Sequence, residues 1–169
     1  ARLRMATFQR PPTEALICSL VPTNQLEDVG IPTKCAFATQ TPGELPVAQR
    51  MRAAYWLKHA YDNSDDETEK RSARQALERA AAHAPHGSLL RHECAYVLGQ
   101  LRDAQAAPAL QTSLCDTSED AMLRHECAEA LGALIAGERL AFAQYSAGAR
   151  ALAGWTLGGQ RGGQPGGHK

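Results

Sequence analysis

Apolar residues recur every three to four positions through most of the chain between residues 47 and 135, a spacing typical of helices that bury one face. Turn-forming Pro, Gly, Asp and Ser residues separate successive apolar segments. The predicted helices are, in chain order, 14–21, 47–60, 68–83, 89–101, 103–114 and 121–135. Few aromatic residues and abundant alanine suit packed helices better than a sheet sandwich. The pattern therefore predicts an all-α fold.

Particular residues mark where the predicted helices begin and end. Residues 85–87 (Pro-His-Gly) break the helix before them, and Ser88 is a suitable N-cap for the next one. Asp103 is placed to cap the following helix, where Pro108 is tolerated only near the first turn. The residues of 89–101 that can form a buried stripe are Leu90, Ala95, Val97, Leu98 and Leu101.

The sequence Arg-His-Glu-Cys-Ala occurs twice, beginning at Arg91 and at Arg124. The two segments that start at these arginines are identical at most of their positions. They are about 33 residues apart, and this period is typical of stacked helical hairpins. An earlier, degenerate copy begins at Arg50, with Met51 and Arg52 in place of the His-Glu pair. The repeats predict HEAT-like helical hairpins, about three of them, stacked as an α-solenoid. Since one copy lacks the His-Glu pair, stacking does not require it.

The two ends of the chain differ from the repeats in composition. Residues 1–46 carry six of the nine prolines, which predicts an irregular N-terminal loop with a leader over residues 1–12. Residues 136–169 carry nine of the fourteen glycines and no repeat, which predicts a Gly-rich tail that is disordered or an aberrant coding segment. The repeat domain is accordingly predicted to cover residues 13–135.

The charge and cysteine content exclude several classes of partner. Eighteen basic residues balance eighteen acidic ones, so no net field attracts nucleic acid or a membrane surface, and neither is predicted as a partner. The chain has no apolar run long enough to span a membrane and no signal-like N-terminus. Five cysteines form no Cys-x-x-Cys pair, which predicts reduced thiols and a cytoplasmic location.

The repeated His-Glu pair is suited to binding a metal ion. Neighbouring helices in such a stack lie ~8–10 Å apart, so a metal held by imidazole nitrogens at ~2.0–2.1 Å can bridge His92 and His125. Glu126 or Glu93 can then complete a set of two nitrogens and one oxygen. These ligand types favour non-haem iron over structural zinc, which usually recruits thiolates.

Each of these residues also has an interpretation that involves no metal site. A single His-Glu dipeptide on a helix is more often a solvated surface pair, whereas two in register favour a shared site. Arg91 and Arg124 are predicted to pair with local carboxylates or to line the surface, and Cys94 and Cys127 to face the packed side. The predicted solvated histidines are His59 and His83, with His86 in a turn and His168 in the tail. Inter-repeat packing is predicted for Tyr55, Trp56 and Tyr96, the last also a candidate for the rim of a groove.

Segments 89–100 and 122–133, which contain the two motifs, resemble deoxyhypusine hydroxylase. Residues 101–114 are similar to the connecting helix of that family and residues 47–57 to its first repeat, so the resemblance covers about residues 12–135. It implies a monooxygenase that uses molecular oxygen to hydroxylate the deoxyhypusine side chain of a translation factor. It also implies a di-iron centre held by four His-Glu pairs from two similar halves.

Carried onto this chain, the resemblance implies that His92, His125 and Glu126 ligate one iron. Glu93 would be a further iron ligand or the catalytic carboxylate that holds the cationic substrate side chain. This chain departs from the family pattern because it has two His-Glu pairs and not four, as expected of an N-terminal half followed by an unrelated tail. The alternatives are a metal-free HEAT-repeat scaffold that binds a protein partner and a lyase-like chaperone for tetrapyrrole attachment.

Overall fold

The computed structural model describes residues 11–21, 25–26 and 45–137. Contacts divide the chain into residues 1–134 and residues 135–169, and nearly all of the described residues belong to the first unit. Most of the predicted leader, of the N-terminal loop and of the Gly-rich tail, His168 included, lies outside the described residues. The predicted domain bounds therefore stay predictions.

Helices form almost all of the described structure, and no strand occurs in it. The helices are α1 (Thr13–Leu20), α2 (Val47–Asn63), α3 (Glu67–Ala82), α4 (Gly87–Leu101), α5 (Ala107–Cys115) and α6 (121–137). Successive helices pair as α1–α2, α3–α4 and, through Arg124 and Leu114, α5–α6, and α2 also packs on α4. The predicted all-α fold of helical-hairpin repeats is confirmed. Among the described residues, no helix is both long and apolar enough to cross a bilayer.

The connections between helices follow the predicted turn residues with one exception. Asp103 accepts a hydrogen bond from the backbone N–H of Gln105 at 2.9 Å and caps a short helical turn that continues into α5. Pro108 lies in the first turn of α5, as predicted. The predicted N-cap Ser88 is wrong, because a tight turn over Ala84–His86 leads directly into α4 at Gly87. Gly87 has a φ of 76°, a conformation that favours glycine.

The predicted apolar stripe of α4 is confirmed as the centre of the core. All five of its residues are buried, and they belong to one cluster with apolar residues of α2, α3, α5 and α6. The largest fully buried side chains include Ile17, Leu57, Leu77, Leu98 and Leu123.

The first residue of each motif has a structural task. Arg91 Nε donates to the carbonyl oxygen of Ala81 at 2.7 Å, and Arg124 Nε donates to that of Leu114 at 3.1 Å. Both acceptors lie in the last turn of the preceding helix, where carbonyl groups lack partners within the helix. The two acceptors are separated by the same repeat period as the two arginines. The motif arginine therefore anchors each helical hairpin.

Two of the repeat arginines also reach the turn of the next repeat. Arg91 forms an ion pair with Glu119, in the turn before α6. Arg50 lies 2.9 Å from Nδ1 of His86, which stands one repeat period before Glu119 in the sequence. The prediction that the motif arginines pair with local carboxylates or line the surface is thus incomplete for Arg91, because it is buried and also bonds to backbone.

His86 is in a turn, as predicted, but it is buried. Its Nε2 lies 2.6 Å from the carbonyl oxygen of Leu20. A carbonyl can only accept, so Nε2 carries the proton and Nδ1 accepts from Arg50. Burial lowers the pKa of His86 to about 4, and the charges of His83 and Arg50 add to this. His83 is not a solvated helix position, since its ring packs edge-on against His86 with centroids 4.6 Å apart.

We expect acid to destabilise the fold through His86. The unfolded chain binds a proton at this residue near pH 6.5, whereas the folded chain does so only near pH 4. The stabilisation is thus complete above pH 6.5 and is lost as the pH falls to 4, by about 3 kcal/mol. Urea unfolding of the parent and of His86→Gln at a series of pH values measures it. If the unfolding free energy had the same slope against pH in both proteins, this role of His86 would be contradicted.

The close approach of α4 to α6 is predicted to be sensitive to a single methyl group. A Cβ at Gly99 would lie 2.9 Å from both Cα and Cβ of Ala130, so Gly99→Ala would force α4 and α6 apart and cost about 1–3 kcal/mol. Gly132 occupies the equivalent position of the next repeat with nothing within 4 Å, so Gly132→Ala should stabilise by about 0.5–1 kcal/mol. Urea unfolding of the two variants tests this, and equal effects would refute it.

Candidate active site

The His-Glu pairs lie on a face that the repeats share. Positions 89, 92, 93 and 96 of α4 and positions 122, 125, 126 and 129 of α6 follow the spacing of one helix face. The corresponding positions of α2 are Ala48, Met51, Arg52 and Tyr55. These twelve positions are called the site face below. Four of the large apolar residues that stay exposed belong to it, namely Tyr55, Leu89, Tyr96 and Met122.

His92 and Glu126 are in direct contact across two repeats. His92 Nε2 lies 3.0 Å from Glu126 Oε2, and their side chains are 25% and 10% exposed. The close approach of α4 and α6 at Gly99 and Ala130, further along both helices, brings the two helices near enough for this contact. A largely buried carboxylate is therefore held against an imidazole, as a site that binds a cation or moves a proton requires.

Glu93 faces the other nitrogen of the same imidazole. Its Oε1 lies 3.7 Å from His92 Nδ1, beyond hydrogen-bond distance, and its Oε2 accepts from the Tyr55 hydroxyl at 2.6 Å. Within the described structure, His92 Nδ1 is buried and has no hydrogen-bond partner. An unpaired buried polar atom costs roughly 1–3 kcal/mol. The site therefore keeps one donor or acceptor atom of the imidazole available beside Glu93.

His125 is not part of this cluster. Its side chain is 72% exposed, and its Nε2 lies 3.5 Å from Glu129 Oε1, one turn further along α6. The structure thus brings together His92, Glu93 and Glu126 of the predicted ligands and leaves His125 apart. In residues 11–21, 25–26 and 45–137, no group of three or more His, Cys, Asp or Glu side chains is arranged to hold a metal ion. That His125 shares a metal with His92 stays a prediction.

The motif cysteines face the core, as predicted. Cys94 and Cys127 are buried free thiols. Burial raises the pKa of Cys94 to about 12 and that of Cys127 to about 11. Both thiols belong to the apolar core and neither lies on the site face. The chemistry of the motif therefore belongs to its His and Glu residues.

Tyr55 is the site residue that sequence reasoning missed. It was predicted to pack between repeats, but its ring is 44% exposed and its hydroxyl binds Glu93. This hydrogen bond, followed by burial, raises the pKa of Tyr55 to about 12. The repeat alignment offered a signal, because it places Tyr55 one turn beyond the positions of the missing His-Glu pair. Of the other predicted residues, Trp56 packs against the core and His59 is exposed.

A shallow groove runs beside this cluster along α2. Its volume is about 540 Å³, and it is lined by Ala48, Met51, Arg52, Tyr55, Trp56 and His59. Tyr55 is both a wall of the groove and the hydrogen-bond partner of Glu93. The groove and the carboxylates are therefore continuous. Tyr96 is exposed and does not line this groove, so its expected place at the rim of a groove stays a prediction.

Comparison with known proteins gives several relatives of one kind. Deoxyhypusine hydroxylase of Coccidioides immitis is 48% identical over 66 residues, which is 39% of this chain and 19% of that protein. Deoxyhypusine hydroxylase of Mycosarcoma maydis is 44% identical over 74 residues, 41% of this chain and 18% of that protein. Deoxyhypusine hydroxylase of Kluyveromyces lactis is 44% identical over 70 residues, which is 41% of this chain and 21% of that protein.

These matches are partial. They span about a fifth of the length of the curated relatives. No protein-family model matches the chain, and no solved structure matches it. The resemblance that the two Arg-His-Glu-Cys-Ala motifs predicted is nevertheless confirmed by independent relatives that carry one name. This chain contains a segment that is similar to deoxyhypusine hydroxylases.

Proposed function

We propose that this chain acts as a deoxyhypusine hydroxylase, a monooxygenase that uses molecular oxygen and iron to hydroxylate the deoxyhypusine side chain of a translation factor. The observation that carries the proposal is the contact of His92 with Glu126 across two repeats, in a chain of which 39% is similar to a protein of that name. A pair that served only for solubility would not need to be largely buried between helices.

The donors present fit iron better than the alternatives. His92, Glu93 and Glu126 supply nitrogen and oxygen atoms, and the unpaired Nδ1 of His92 shows that the cluster is not satisfied by itself. Cys94 and Cys127 are buried in the core and do not lie on the site face, which argues against the thiolate ligands of structural zinc. Bound iron would supply the redox chemistry that places an oxygen atom on the substrate. His125 would join the ligands if its side chain turned away from Glu129.

The remaining features of the site face suit a long cationic side chain. The side chains of Glu93 and Glu126 are largely shielded from solvent. In such surroundings the electrostatic attraction between an ammonium group and a carboxylate is stronger than it is in water. The apolar groove along α2 has Tyr55 as one of its walls and offers surface to an aliphatic chain. In this arrangement Glu93 is the carboxylate placed to hold the amine, the groove holds the methylene groups, and His92 and Glu126 would remain ligands of the iron.

The test uses the full chain, ferrous iron, oxygen and a translation factor that carries deoxyhypusine. Mass spectrometry of the modified peptide should show the addition of one oxygen atom, and His92→Ala should abolish it. Gln111→Ala, which changes an exposed residue of α5 outside the site face and the groove, is the control and should retain the activity. No added oxygen with the parent chain under any iron concentration would overturn the proposed activity.

One observation favours a second candidate, a metal-free scaffold for a protein partner. His125 pairs with Glu129 on its own helix and not with the His92 cluster. Leu89 and Met122 expose apolar side chains at equivalent positions of the site face. A scaffold of this kind would contain no iron, and the Leu89→Ser variant would lose partner binding. The hydroxylase would bind iron both in the parent chain and in the Leu89→Ser variant.

A further inference from the structure

The Tyr55 hydroxyl makes the only hydrogen bond to Glu93 within the described residues. Tyr55 belongs to α2, the helix of the repeat that has no His-Glu pair, and it lies 38 positions before Glu93. The donor and acceptor oxygens are 2.6 Å apart. A hydroxyl that donates to a carboxylate at this distance forms a strong, charge-assisted hydrogen bond.

This hydrogen bond fixes the orientation of the Glu93 carboxylate relative to the rest of the site. A glutamate side chain has several accessible rotamers, and fixing one of them costs conformational entropy. Tyr55 holds Oε2 on the side of α2, which leaves Oε1 directed toward His92 Nδ1 at 3.7 Å. The side chain of Glu93 is only 18% exposed, so little water competes for the same oxygen.

We propose that Tyr55 is a positioning residue, whose hydroxyl holds the Glu93 carboxylate in the orientation that the site uses. The inference rests on the proposed function, because it concerns the same site. In this proposal the degenerate first repeat contributes to the site as well. It supplies the hydroxyl that orients Glu93, whereas the later repeats each supply a His-Glu pair. Whether Glu93 binds the iron or the substrate amine, its orientation depends on Tyr55.

The chain provides a matched control for this role. Tyr96 occupies the same position of the next repeat, and its ring is exposed to nearly the same degree as that of Tyr55. No hydrogen bond from its hydroxyl to a carboxylate occurs in the described structure. Tyr→Phe keeps the ring, and with it the wall of the groove, so that the two variants differ from the parent by one hydroxyl each.

The experiment is an anaerobic calorimetric titration of the full chain with ferrous iron, followed by a titration with the deoxyhypusine-bearing factor. Tyr55→Phe should weaken one of these two affinities by about threefold to tenfold, because the carboxylate loses its fixed orientation. The first affinity changes if Glu93 binds iron, and the second if it binds the amine. Tyr96→Phe should leave both affinities unchanged. Thermal unfolding of both variants should match that of the parent.

The results separate this inference from the proposed function. A parent chain that binds neither iron nor the factor would overturn the proposed function, and the inference with it. A parent that binds both, with unchanged affinities in Tyr55→Phe, would overturn the inference alone. Equal losses in Tyr55→Phe and Tyr96→Phe would also overturn it, because the effect would then not depend on the bond to Glu93.

Discussion

The His92→Ala variant is expected to bind ferrous iron at least about 100-fold more weakly than the parent chain. His92 is the one imidazole among the described residues that faces two carboxylates, Glu93 on one side and Glu126 on the other. Its removal leaves two carboxylates without the nitrogen that favours iron over harder cations. Anaerobic titration calorimetry with ferrous iron alone measures the change.

Two further variants make this prediction specific. His59→Ala removes an exposed histidine of α2 and should leave the iron affinity as it is in the parent. His125→Ala shows whether His125 leaves Glu129 to bind the metal, since a loss as large as that of His92→Ala requires it to be a ligand. Unchanged iron affinity in His92→Ala would contradict the assignment of the site.

The Arg91→Met variant is expected to lose about 3 kcal/mol of unfolding free energy. Arg91 is buried and satisfies the carbonyl of Ala81 and the carboxylate of Glu119 at once. Methionine fills much of the same volume but leaves both acceptors without a donor. Urea unfolding at neutral pH measures the loss.

The matched control is Arg124→Met at the equivalent position. Arg124 is only partly buried, and its one hydrogen bond in the described structure is to the carbonyl of Leu114. Its replacement should therefore cost only about 1 kcal/mol. Equal losses in the two variants would show that the repeat arginines are interchangeable and that Glu119 contributes nothing.

Much of the fold could be predicted because helix periodicity is a local property. Each predicted helix is present, and the stripe from Leu90 to Leu101 is buried as the spacing required. The N-cap Ser88 was wrong because a glycine with positive φ lets one turn run directly into the next helix. The burial of His86 could not be predicted, since its partners Arg50 and Leu20 are 36 and 66 positions away.

Contacts of the candidate site could be predicted where both partners belong to the repeated motif. Contacts that depart from the repeat could not be predicted. The repeated motif correctly indicated that His92 and Glu126 share a face. His125 forms instead an ion pair with Glu129 one turn along its own helix, which is a common local alternative. The bond between Tyr55 and Glu93 joins the degenerate repeat to the next one, where no motif signals a contact.

The most direct measurement is anomalous X-ray scattering at the iron absorption edge from crystals of the full chain grown with ferrous iron. We expect an anomalous peak within coordination distance of the side chains of His92 and Glu126. A bound iron that lies elsewhere on the chain, or no anomalous peak at saturating iron, would contradict it.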